Sequence, residues 1–267
     1  MSKPPYRFLL ISDFNMDIFR GYLTNDEEHP LVEAITGPFG QTVPVLVDEC
    51  IACWRWAPDY VVVWTRPESV IPSFNAVLDY RAVSIEQLMN EVDAYCHKLR
   101  HLEHRVRYAF VPTWGVPSYY RGRGSLEMKN GVGITNLLMR MNMRLADNVA
   151  RSRNVGLLNA EKWVQDAGQN AFNPKLWYWS KVAFGGEVFA SATKDIKAAL
   201  RGLTGQSRKL IIVDLDETLW GGVVGDVGWK GLNLGGHSAV GEAFVDFQRA
   251  LKSLTSRGTL LGIVGKN

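Results

Sequence analysis

Apolar positions along this chain follow two alternating patterns. Short runs dense in apolar residues lie at Tyr6 to Ile11, Tyr60 to Trp64, Arg105 to Val111, Val155 to Leu158, Leu210 to Val213 and Leu260 to Val264. Such runs predict strands covered on both faces. Between them lie longer segments with apolar residues at helical spacing. Thr42 to Trp56 carries Val43, Leu46, Val47, Cys50, Ile51 and Trp54 on one face. Ser84 is an N-cap, with Glu86 and Gln87 in the first turn of a helix that runs to about His101. Further helices are expected at Ile134 to Ser152, Ala160 to Ala167, Glu187 to Leu203 and Ala239 to Ser256, the last two ended by Gly205 and Gly258.

The connections carry their own signals. GPFGQ at 37–41 reads as a loop, and NPKLWYW at 173–179 as a turn into aromatic packing. Thr113 to Gly131 is a long Gly-rich, aromatic loop of the kind that is functional or mobile. The glycines at 221, 222, 225, 228, 231, 235 and 236 suggest a hairpin flap over Val223 to Leu234. Strand and helix alternate throughout. The fold class expected is therefore α/β: a doubly wound, mainly parallel three-layer domain over residues 1–205, followed by a second α/β segment over 206–267.

Composition narrows the class. At 267 residues, 46% hydrophobic and 21% charged, the chain can build one large or two modest cores. No apolar run approaches membrane-spanning length and no basic-then-apolar leader opens the chain, so a cytoplasmic protein with no membrane partner is the expectation. Cys50, Cys53 and Cys96 are too few for a disulfide scaffold, and the Cys50–Cys53 pair reads as core packing within a helix. Charge is uneven: Lys98 to Arg153 holds eleven basic against three acidic residues, while the whole chain is only +3. A basic stripe is a solvated face or a dock for an acidic partner or a phosphorylated ligand. No nucleic-acid motif accompanies it.

The chemistry concentrates in KLIIVDLDETLWGG at 209–222. Asp214 follows an apolar strand, Asp216 lies two residues on, and Thr218 two further. Ligands bind at the carboxyl ends of parallel strands. Paired carboxylates there suit phosphoryl transfer: one attacks phosphorus, the other moves protons, and both can lean on a hard cation such as Mg²⁺. An acidic turn that merely ends a strand is the alternative.

The longer string DLDETLWGGVVGDVG resembles the first motif of the haloacid-dehalogenase-type (HAD) phosphotransferases, and its continuation is similar to their FkbH-like branch. The resemblance covers Arg208 to Asn267. It implies a truncated HAD-like Rossmannoid segment with Asp214 as nucleophile and Asp216 as general acid/base. Thr218 would hold the turn, and the Asp216 carbonyl would join the Mg²⁺ shell. The second motif, a Ser or Thr, falls at Gly265, beside Lys266, which leaves only a backbone N–H for an anion. The third and fourth motifs do not occur. The chain is accordingly expected to be the front part of a longer protein and catalytically incomplete alone.

Residues Arg7 to Leu203 resemble the α/β domain that precedes the HAD domain in FkbH-like proteins, itself similar to SGNH-type ester hydrolases. LLISDFNMD, APDYVVVWTRPE and FNPKLWYWSKVAF carry the likeness. The esterase-like turn is Ser12-Asp13-Phe14-Asn15, with Phe14 at the nucleophile place. Thr65-Arg66-Pro67 stands where Asn-Asp is expected, and NPKL at 173–176 replaces Asp-x-x-His. His29, His97, His101, His104 and His237 are the available bases, and the middle three share a solvated helical face.

Three functions follow. The FkbH-like resemblance implies an enzyme that dephosphorylates a phosphorylated three-carbon acid and loads the glyceryl unit on an acyl carrier protein in polyketide biosynthesis, with the basic segment docking the acidic carrier through Arg140 and Arg144. A degenerate binding domain is the second, and an ester hydrolase using Ser12 the third.

Overall fold

The computed structural model describes residues 4–120, 122–236 and 238–265. It divides into two compact units, Met1–Leu200 and Arg201–Asn267.

The first unit is built on five parallel strands: β1 (Tyr6–Ser12), β2 (Val32–Thr36), β3 (Tyr60–Trp64), β4 (Tyr108–Pro112) and β5 (Val155–Leu158). Their order is β2-β1-β3-β4-β5. The chain leaves β1 toward one edge and returns to the other side, so the order reverses between β1 and β3. All five residues of β3 are buried, because this strand is central and covered on both faces.

The pleat sorts the β1 side chains into two cores. Leu9 and Ile11 join one cluster with Val61 and Val63. Helices α2 (Thr42–Val47), α3 (Pro67–Val70), α4 (Pro72–Leu78), α5 (Ile85–Leu99) and α6 (Ile134–Val149) cover it through Leu46, Val70, Phe74, Val92 and Met141. Phe8 and Leu10 join the other with Val62 and Trp64. Helices α1 (Asp17–Asn25), α7 (Ala160–Ala167) and α9 (Gly186–Leu203) cover that face through Phe19, Trp163, Phe189 and Ile196. This is the doubly wound, mainly parallel α/β sandwich expected from the alternation of elements.

Several local expectations change. The helix over Thr42 to Trp56 stops at Val47, because Asp48 Oδ1 takes the Cys50 N–H (2.8 Å) and turns the chain. A short 3-10 turn then spans Ala52–Trp56. Cys50 is consequently exposed rather than packed in the core, while Cys53 is half-buried against it. Burial pushes the Cys53 thiol up, the reverse of what a reactive cysteine needs. β4 starts at Tyr108, three residues late, because 3-10 structure continues α5 through Arg100–His104. The segment at 173–179 is no turn. Asn173 caps α8 (Pro174–Ser180) by accepting the Lys175 N–H at 3.0 Å, and Pro174 opens the helix. α1 and β2 lie outside the expected elements, although α1 carries Ile18, Phe19, Tyr22 and Leu23 at helical spacing.

The second unit contains β6 (Leu210–Val213) and β7 (Leu260–Ile263), paired in parallel, and α11 (Ala239–Thr255). Ser238 caps α11 by accepting the Gly241 N–H at 3.0 Å. The expected hairpin flap is absent. Residues 223–234 instead form a short helix, α10 (Val224–Val227), and a 3-10 turn, Trp229–Gly231. The excursion is closed by one antiparallel bridge, with Gly221 N donating to Asn233 O (3.1 Å) and Asn233 N to Gly221 O (2.8 Å). Glycines spaced this closely leave no run long enough for two strands.

Candidate functional site

β6 ends at Val213, so Asp214 lies at its carboxyl end, exposed, with Oδ1 accepting the Leu215 N–H at 2.8 Å. The next residues form a tight turn. Thr218 and Leu219 both donate backbone N–H to Leu215 O. Asp216 Oδ1 accepts the indole N–H of Trp220 (2.9 Å) and the Val224 N–H (3.3 Å). Glu217 takes a left-handed conformation (φ 57°), and its carboxylate accepts the Gly222 N–H at 2.8 Å. Gln248 of α11 anchors the turn through Leu219 O at 2.7 Å.

The parallel register pairs Val213 with Ile263, and Val264 N donates to Val213 O at 3.0 Å. Gly265 therefore follows β7 at the same sheet edge as Asp214. A Cβ placed on Gly265 would meet only the Leu215 side chain, at 3.6 and 3.9 Å, so a serine fits there. Thr218 contributes its backbone to the turn. Lys266 and His237 lie outside the described residues.

Two carboxylates with free oxygens are hard donors of the kind that Mg²⁺ accepts alongside water and phosphate oxygens. Among the described residues, neither Asp214 Oδ2 nor Asp216 Oδ2 has a hydrogen-bond partner. No cluster of three or more His, Cys, Asp or Glu occurs among the described residues. The pair thus fits the ion in donor type and would leave most of its shell to other oxygens.

The first unit gathers a different set at the carboxyl ends of β1 and β3, where the strand order reverses and α/β sheets open a crevice. Ser12 is buried, and its Oγ accepts the Phe14 N–H at 3.1 Å. Phe14 packs edge-on against Trp64 and Phe184, at 5.8 and 5.6 Å. The nucleophile place of the esterase-like turn is therefore filled by core. Asn15 Oδ1 accepts the Asp17 N–H, and its own N–H donates to Lys181 O, both at 2.8 Å. Among the described residues no histidine is a partner of Ser12, and none lines the cleft formed by Ser12, Phe14, Asn15 and Phe39. This arrangement holds a turn and lacks the base an acyl-serine needs.

Asp13 is the polar centre of the crevice. Its Oδ1 accepts the Arg66 N–H (2.8 Å) and its Oδ2 the Arg66 Nε–H (2.7 Å). The same guanidinium reaches Glu68 at 3.1 Å and stacks over Trp177 at 4.0 Å. Burial pushes the Glu68 carboxyl above the usual range, against the pull of Arg66. Tyr120 donates to Glu68 Oε1 at 3.4 Å, and burial raises its hydroxyl to about 12. Thr65-Arg66-Pro67 stands in the sequence where Asn-Asp is expected, and in the fold Arg66 replaces that chemistry with an ion pair to Asp13, fifty-three positions away and not legible from local pattern. The signal available was the paired replacement itself, Phe14 for Ser and Arg66 for Asn.

Of the basic segment, Arg144 is not a free charge. It makes a two-pronged pair with Asp93 of α5, at 2.7 and 2.6 Å, which holds that carboxyl below the usual range. Among the described residues, Arg140 bonds within its own helix, to Asn136 Oδ1 at 2.9 Å. His97, His101 and His104 are exposed.

No family model and no curated protein matches the chain. Among solved structures it is similar over 100% of its length to the N-terminal part of the BF1531 protein from Bacteroides fragilis, which contains a phosphatase domain complexed with Mg. The TM-score is 0.81 at 20% identity, and 70% of that chain is covered. At this identity the likeness shows a shared fold. Weaker matches include a catalytic mutant of the acetylxylan esterase Axe2 from Geobacillus stearothermophilus (TM-score 0.44, 11% identity, 77% of this chain and 97% of that one). Another is LAE5, an α/β hydrolase from the Lake Arreo metagenome (TM-score 0.41, 14% identity, 77% and 98%). No described helix is long and apolar enough to cross a membrane.

Proposed function

We propose that the second unit is the nucleophile and acid/base part of a phosphoryl-transfer centre in an FkbH-like protein. The supporting observation is the register of β6 and β7, which pairs Val213 with Ile263, so that the Asp214 turn and the segment through Gly265 leave the same carboxyl end of a parallel sheet. The Mg²⁺ that accompanies the phosphatase domain of the B. fragilis protein agrees in kind with this donor set. Such an ion, held by the Asp214 carboxylate and the Asp216 backbone carbonyl, would neutralise phosphoryl charge.

Asp214 attacks phosphorus as the bond to the donor oxygen breaks, and Asp216 supplies the proton to that oxygen. Water then releases phosphate from Asp214, with Asp216 taking the proton. The Trp220 and Val224 donors on Asp216 Oδ1 fix that carboxylate and leave Oδ2 for the proton. The donor would be a phosphorylated three-carbon acid and the acceptor of its glyceryl unit an acidic acyl carrier protein. Because Arg144 is engaged by Asp93, the charge reversal that tests carrier docking is Arg140→Glu, expected to raise the carrier Kd about tenfold at low salt.

Incubation with Mg²⁺ and a small acyl phosphate, followed by intact-mass spectrometry in acid, tests the centre. One added phosphoryl group that vanishes in Asp214→Asn supports it, and Gly265→Ser should raise the yield. No addition to the unmodified chain, or equal addition to Asp214→Asn, overturns it.

A further inference from the structure

The first unit carries a second concavity that the phosphoryl-transfer reading leaves unused. It lies past the carboxyl ends of β4 and β5, with a volume of about 260 Å³. Its walls are Trp114, Leu138, Met139, Val164, Phe172 and Phe184. Close-packed interiors leave few voids larger than a water molecule, so an apolar space this size needs something to keep it open.

Polar contacts behind the walls do so. Asn142 of α6 accepts the Trp114 N–H at 2.9 Å and donates to Trp114 O at 2.8 Å, which clamps the loop after β4 to the helix. Trp114 Nε1 donates to Thr65 Oγ1 at 3.0 Å, and its ring lies 5.6 Å from Tyr95. Thr113 Oγ1 accepts the N–H of Ala160 at 3.0 Å, and Thr113 N donates to Leu158 O at 2.8 Å, so the start of α7 is tied to the same loop. Phe184 is backed by Trp64, stacked at 4.8 Å, and by Phe14. Trp114, the start of α7 and Phe184 therefore cannot fold inward without breaking these contacts. A cleft held open in advance loses little entropy when it is filled.

We infer that this cleft is a binding site for a neutral aromatic group. Three of its walls are aromatic, which favours a flat ring through stacked and edge contacts. A cavity of about 150 Å³ takes benzene, so this one has room for about ten non-hydrogen atoms, the size of an indole. Among the described lining residues Glu161 is the one with a charge, and it is exposed. An anionic tail on the ligand would meet that carboxylate, so neutral rings are preferred.

Titration of the chain with indole, followed calorimetrically and through the Trp114 indole N–H resonance, tests the site. The expected Kd is on the order of 0.1–1 mM for a ligand this small, with indole-3-acetate weaker. Leu138→Trp fills the cleft from within and Met139→Trp from its exposed edge, and each should weaken indole at least fivefold. Met139 is 55% exposed, so that variant keeps the fold even if Leu138→Trp does not. Absence of indole binding, unchanged binding in Met139→Trp, or tighter binding of indole-3-acetate would overturn the assignment.

Discussion

Replacing Asp13 by alanine measures whether the crevice between β1 and β3 is sealed by structure or kept for chemistry. The Asp13 side chain is 7% exposed and that of Arg66 20%. The substitution removes two charge-assisted hydrogen bonds, at 2.8 and 2.7 Å, and leaves the Arg66 N–H without its acceptor. Breaking a fully buried pair costs about 3–5 kcal/mol. Arg66 would retain Glu68 at 3.1 Å and Trp177 at 4.0 Å and reach some water, so the low end applies, about 3 kcal/mol. For a unit of this size each kcal/mol moves the midpoint about 2–4 °C. The Tm of the first unit should therefore fall about 6–12 °C in a calorimetric scan. Asp13→Asn, which can still accept the Arg66 N–H, should lose about half as much. A double-mutant cycle with Arg66→Met should give a coupling of about 1.5 kcal/mol or more. A shift under about 2 °C for Asp13→Ala, or a coupling near zero, would refute the pair as the seal.

Three more outcomes follow from the same geometry. Burial holds the Glu68 carboxyl above the usual range, so the folded state keeps its proton longer than the unfolded chain and loses relative stability as pH rises through the raised value. Glu68→Gln should match the parent below about pH 4 and melt higher than it at neutral pH; an offset independent of pH would count against this. Asn142→Ala removes both bonds to the Trp114 backbone and should cost about 2 kcal/mol in denaturant titration while weakening indole binding. A Cβ on Gly241 would stand 2.5 Å from Gly235 O and 3.0 Å from Asn233 Oδ1, groups that cannot easily move. Gly241→Ala should thus destabilise the second unit by about 1–3 kcal/mol and leave the unfolding of the first unchanged.

Periodicity alone determined which segments of this chain become buried strands and amphipathic helices. Tyr60 to Trp64 could only be a central strand, since no other element buries five consecutive apolar residues on both faces. The Asp214–Asp216 pair was legible too, because strand, turn and both carboxylates lie within a few residues. Weakly patterned elements were not. β2 is an edge strand of five residues with Glu33 at its second position, and its parallel pairing with β1 is what fixes it as a strand. The glycines after Asp214 signalled a turn-rich excursion without specifying helix or hairpin, a choice made by Gly221 meeting Asn233. Tertiary structure alone decided the chemistry of the first unit. Asp13 and Arg66 are far apart in sequence and become partners only because β1 and β3 are neighbours with their carboxyl ends aligned. The aromatic cleft is likewise a product of packing: Trp114, Asn142 and Phe184 come from three separate segments, and no local pattern records where three elements leave a space between them.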